Sequence, residues 1–90
     1  MKKKEEKTDM SEFTLIVGKR IRKARKAKNL TLEELAERCG LHPAYIGQLE
    51  RGVKNASLYT LEKIACALEL SLTDLVGNSD IVTETAKTNI

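Results

Sequence analysis

The sequence predicts an all-α fold, a five-helix bundle, on three observations. Its apolar residues recur at spacings of three and four rather than two. No alternating run is bounded by turn residues, so no strand is expected. Ser, Thr, Pro and Gly stand where a succession of short helices would have to begin and end. Ninety residues make one small domain, whose core is marginal unless nearly every apolar residue contributes or a second chain shares the burial.

Helix 1 is predicted from about Glu12 to Lys28. Phe13, Val17, Ile21 and Ala24 form one stripe, with Lys19, Arg20, Arg22, Lys23 and Lys26 elsewhere on the wheel, and Asn29 is the stop. Thr31 opens TLEE, a capping box in which its hydroxyl meets the third helical N–H while Glu34 reaches back. Helix 2 then runs from Leu32 to about Arg38. Gly40 supplies the left-handed residue that ends it, and Leu41 drops back into the core. His42-Pro43 opens helix 3, since proline in the first turn lacks only an N–H that would be orphaned there; Ile46 and Leu49 face inward and Gly52 ends it. Ser57 caps a fourth helix, Leu58 to Leu68, with Leu58, Leu61, Ile64, Ala65 and Leu68 inward. Ser71 with Asp74 caps a short fifth helix through Val76. Residues 1–11 read as a basic tail that could extend helix 1, residues 12–77 as the domain, and residues 78–90 as a polar tail.

Several function classes are disfavoured. No window holds eighteen consecutive apolar residues, and MKKKEEKTDM has no apolar stretch behind it, so a soluble, cytoplasmic protein is the expectation. Cys39 and Cys66 lack a CxxC spacing and the one histidine is His42, so no metal site is expected and both cysteines read as reduced, half-buried packing residues. With no nucleophile elbow and no phosphate-binding glycine loop either, no catalytic residue, cofactor or enzyme activity is expected. The net charge of +3 hides an asymmetry. Residues 1–30 carry eleven Lys/Arg against four Asp/Glu, giving +7, whereas residues 31–90 carry five against nine, giving −4. One end of the chain is suited to a negative partner.

Two short helices joined by a glycine turn make a helix-turn-helix, whose second helix can enter the major groove of double-stranded DNA. Ala36 is small where the helices cross, Gly40 permits the turn, and Leu35, Cys39, Leu41, Ile46 and Leu49 seal the inside. The span from about Val17 to Val76 resembles the Cro and phage-repressor family, often called XRE-like. IRKARKAKNLTLEELAERCGL matches its helices 1–2, YIGQLERG its helix 3, and SLYTLEKIACALELSLTDLV its helices 4–5. The run ERGVKNASLYTLEKIACALEL is also similar to that of small stand-alone regulators such as restriction–modification controller proteins.

On helix 3, His42, Pro43, Ala44, Gly47, Gln48 and Arg51 lie opposite the Ile46/Leu49 face and project toward a groove. The Gln48 carboxamide matches N6 and N7 of adenine, and the Ala44 methyl suits a thymine methyl. His42 either caps the helix or meets a phosphate or base. Tyr45 lies beside the DNA backbone, while Arg51, Lys54 and Asn55 anchor phosphates. The N–H groups behind Thr31 offer another phosphate contact. Leu32 departs from the glutamine that the resemblance implies at the start of helix 2. The resemblance also implies an ion pair of Arg25 with Glu50 that fixes helix 3 against helix 1.

One such motif reads too few base pairs to select a site, so a homodimer on a pseudo-palindrome is expected. Its interface is expected on helices 4–5 at Cys66, Leu70, Leu72 and Leu75, with Ile81 a further candidate. Glu33, Glu34 and Glu37 keep contact with RNA polymerase open. The competing reading is an antitoxin-like or regulator-partner module in which DNA binding is secondary.

Overall fold

The structure, a computed structural model, describes the backbone of residues 2–77 and the side chains from residue 12 onward. Five helices follow in order: α1 (Lys2–Ala27), α2 (Leu32–Cys39), α3 (Pro43–Glu50), α4 (Leu58–Ala67) and α5 (Leu72–Val76). Among the described residues there is no strand. α1 begins ten residues earlier than the apolar stripe alone predicts. Ile81 lies outside the described residues.

α2, α3 and α4 are short because each is closed at both ends by its own sequence. Thr31 accepts from the Glu34 N–H at 3.0 Å while the Glu34 carboxylate accepts from the Thr31 N–H at 2.8 Å. Ser71 and Asp74 repeat this box on α5, and Ser57 accepts from the Thr60 N–H on α4. At the other ends one device recurs four times. Asn29, Gly40, Gly52 and Glu69 take φ of 57°, 70°, 74° and 61°. The next N–H then reaches back five residues, from Leu30 to Arg25, Leu41 to Ala36, Val53 to Gln48 and Leu70 to Ala65. This is the Schellman closure, which satisfies the last carbonyls of a helix and turns the chain sharply.

Ile21, Leu35, Ile46, Ile64, Leu68 and Leu75 are fully buried, joined by Val17, Leu30, Ala36, Cys39, Leu49, Leu61 and Ala65. α1 packs on α3 and α5, α2 on α3 and α4, and α4 on α5. Gly18 is where α1 meets the end of α3: a Cβ there would run into the Leu49 and Glu50 carbonyl oxygens. Arg20 fastens α5 from α1, its guanidinium donating to the carbonyls of Leu75 and Gly77.

Three sequence expectations need correction. Leu58, expected inward, is 68% exposed. It sits about 70° from the centre of the inward stripe of α4 at 100° per residue, in a first turn that no neighbouring helix covers. Leu75, expected at a dimer interface, is 0% exposed: α5 lies between α1 and α4, so this leucine finishes the monomer core and offers nothing to a second chain. The cysteines, expected to be alike, differ. Cys39 is buried, its thiol 4.0 Å from the Lys63 carbonyl and held above the ordinary thiol range by burial, whereas Cys66 is exposed.

Candidate nucleic-acid interface

α2 braces α3 from behind, and the capping of each fixes what α3 can present. His42 serves as the N-cap of α3, its Nδ1 accepting from the Ala44 N–H at 3.2 Å. Of the roles the sequence left for His42, the cap is present, on a residue that is itself exposed. Ile46, Leu49 and Glu50 are buried on the inner side of α3, while Ala44 and Arg51 are exposed and Gln48 half-buried on the outer side. An open groove lies between the start of α2 and α3, lined by Leu32, Glu33, Pro43, Ala44, Gln48 and Arg51 over Gly47.

Gly47 faces the groove as expected but is not exposed there. It is buried beneath Arg51 and Leu32, and a Cβ added there would sit 3.4 Å from the Arg51 guanidinium and 3.6 Å from Leu32 Cδ1. Leu32 therefore has a packing task that its departure from glutamine did not reveal. Tyr45 is half-buried and packs against the core. Beyond α3, Lys54 and Asn55 are exposed in the loop to α4, where the Thr14 hydroxyl of α1 donates to Asn55 Oδ1 at 2.8 Å.

The predicted Arg25–Glu50 pair is present. Arg25 Nε and Nη2 donate to the two carboxylate oxygens of Glu50 at 2.7 and 3.1 Å, and Nη1 donates to the Leu30 carbonyl at 2.7 Å. Both residues are 92% buried. The hydrogen bond to Glu50 raises the Arg25 guanidinium above its usual value against the opposing effect of burial. Such a bidentate pair sets the angle of α3 to α1. Because Arg25 is spent internally, it has no reach to a phosphate.

Residues 21–75 match a family model described as helix-turn-helix. The chain belongs to the helix-turn-helix family. It is 43% identical over 72 residues to the control protein C.BamHI of Bacillus amyloliquefaciens, covering 79% of this chain and 89% of that protein. The restriction–modification controller protein C.AhdI of Aeromonas hydrophila superposes with a TM-score of 0.68 at 40% identity, covering 69% of this chain and 94% of that one. SinR, a master regulator for biofilm formation solved in complex with DNA, superposes with a TM-score of 0.65 at 37% identity, covering 68% of this chain and 98% of that one. These are relatives of Cro and phage-repressor type, and the protein is a DNA-binding transcriptional regulator of that type. The family is one of transcription regulators rather than enzymes.

The structure brings Pro43, Ala44, Gln48 and Arg51 together at one groove. It leaves Thr31, Lys54 and Asn55 exposed outside it, and sets Cys66, Leu70 and Leu72 apart on α4 and its connection to α5. Sequence reasoning missed Glu33 as a lining residue beside Arg51 and Gly18 as the contact that seats α3. A glycine inside a long helical stripe was the available signal for the second. Among the described residues no helix is long and apolar enough to cross a membrane.

Proposed function

We propose that this regulator binds a pseudo-palindromic operator as a homodimer, each protomer laying α3 in the major groove. The observation that carries the reading is the outer side of α3, where Ala44, Gln48 and Arg51 stand free of the core while the Arg25–Glu50 pair holds the helix rigidly from behind. Gln48 is suited to adenine, and Ala44 to a thymine methyl or close backbone approach. Arg51, Lys54, Asn55 and the N–H groups behind Thr31 are suited to phosphates, with Pro43 and Tyr45 shaping the flank and His42 capping the helix. So few base-reading groups leave part of the specificity to groove shape.

The second protomer packs on the surface formed by Cys66, Leu70 and Leu72, which the monomer leaves exposed or half-buried. Working in the cytoplasm, the dimer represses by occluding a promoter, or activates through the exposed Glu33, Glu34 and Glu37 of α2 meeting RNA polymerase.

The test is fluorescence anisotropy at near-physiological salt, with a duplex selected from random sequence against unselected duplex. A two-fold symmetric site bound at least ~10³ tighter than bulk DNA supports the reading, and Gln48→Ala with Arg51→Ala should abolish that preference. Equal weak binding to both duplexes sinks it and favours a module whose main partner is a protein.

A further inference from the structure

Between Phe13 and Lys28 the chain carries seven Lys/Arg and no Asp/Glu. The fold employs three of them. Arg25 is held by Glu50, Arg20 by the carbonyls of Leu75 and Gly77, and Lys28 by Glu69 at 2.8 Å. Lys19, Arg22, Lys23 and Lys26 remain, all exposed and without an ion pair to any described residue.

These four share one side of α1. At 100° per residue they fall within about 100° of arc, roughly opposite Val17 and Ile21, which point into the core. They span about 10 Å along the axis at 1.5 Å per residue, comparable to three phosphates of one strand of B-DNA at ~3.4 Å each. Glu12, two turns before Lys19, is the nearest acid on that side. Gly18 meets the inner side of α3, away from Ala44, Gln48 and Arg51. The cationic face and the reading face therefore look in different directions, which leaves the cationic face open to a second duplex.

We propose that the Lys19/Arg22/Lys23/Lys26 face of α1 is a second, sequence-independent contact for the backbone of another DNA duplex, so that the operator-bound protein can hold two duplexes. The inference rests on the DNA-binding reading above. Duplex DNA is favoured over an acidic protein because the four charges form a regular row without interleaved apolar side chains to seat a protein surface. A row of this kind suits a uniform polyanion and gains from counterion release.

The experiment immobilises the full chain through its C terminus, saturates it with a short duplex holding only the selected site, and adds a labelled duplex lacking that site. Wild type is expected to capture the second duplex, with a log–log salt slope up to about 3 to 4 units steep at ~0.9 per phosphate. K19Q/R22Q/K23Q/K26Q, checked for folding by circular dichroism, should lose capture at least about tenfold while its affinity for the short site duplex changes less than about threefold. K19R/K23R/K26R should capture like wild type. Undiminished capture by the glutamine variant, absence of capture by wild type, or labelled polyglutamate captured as well as duplex would each overturn the inference alone. Failure of wild type to prefer the site duplex overturns the operator reading first, and this inference with it.

Discussion

Among the described residues, two ion pairs tie the end of α1 and the residue just past it to the rest of the molecule, and they differ in burial, geometry and task. Arg25–Glu50 is buried, bidentate and braced by the Leu30 carbonyl, and it seats the reading helix. Lys28–Glu69 is a single contact with side chains 34% and 77% exposed, beyond the last turn of α4. Both join residues far apart in sequence, at separations of 25 and 41. Burial makes the difference. The first pair has excluded water and must keep both partners, whereas the second competes with water and salt at every moment. The molecule thus spends rigid polar geometry where α3 must be aimed and leaves the far corner to local capping.

Breaking the buried pair should have the largest effect. Glu50→Ala strands the Arg25 charge, and urea unfolding should show a loss of about 3–5 kcal/mol. Replacing both partners together, Arg25→Met with Glu50→Leu, should recover much of that stability. If the double variant still aims α3, operator affinity should recover with it, and the pair would then be dispensable for geometry. Next in size is Gly18→Ala, where the added methyl must displace the α3 carbonyl oxygens of Leu49 and Glu50; a thermal melt should register about 1–3 kcal/mol. His42→Ala removes the α3 cap and should cost roughly 0.5–2 kcal/mol, with faster hydrogen exchange at Ala44 than elsewhere in α3.

At the exposed corner the changes should be small. Lys28→Ala should leave the unfolding midpoint unchanged within error. NMR should nevertheless find the Glu69 carboxyl titrating below the ordinary glutamate range, because the Lys28 hydrogen bond favours its charged form. A lowered native value means that any stabilisation is present above the unfolded pKa and fades as pH falls through the native one. Glu69→Gly should raise the midpoint despite losing the pair, since φ of 61° suits glycine.

The cysteines extend the contrast to pH. The buried Cys39 keeps its proton longer than an unfolded thiol would. Its stabilisation is therefore complete below the ordinary thiol value and declines as pH rises from there toward the native one. Thiol reagent should label Cys66 in the monomer, more slowly as rising concentration favours the dimer, and Cys39 only on unfolding.

Much of this architecture was legible in the chain. Thr31 and Glu34, Ser57, and Ser71 and Asp74 mark helix starts because their hydroxyls and carboxylates bond N–H groups within three residues, a local matter. Gly40 and Gly52 mark helix ends for the same reason. The core was equally plain at Ile21, Leu35, Ile46 and Ile64, where one stripe has one inward direction. Legibility failed at stripe edges and contacts between helices. Leu58 and Leu75 look alike in sequence, both being leucines on a capped helix.

Sequence by itself determined the succession of helices, the caps at Thr31, Ser57 and Ser71, the glycine corners at Gly40 and Gly52 and the excess of positive charge in residues 1–30, features set within a few residues of chain. Only the tertiary structure decided that Leu75 is core and Leu58 surface, that Gly47 lies under Arg51, that Gly18 is the seat of α3, and that Arg20 and Lys28 join Arg25 in holding the fold. Those outcomes depend on which helix arrives opposite each side chain, and the packing of distant segments alone supplies that information.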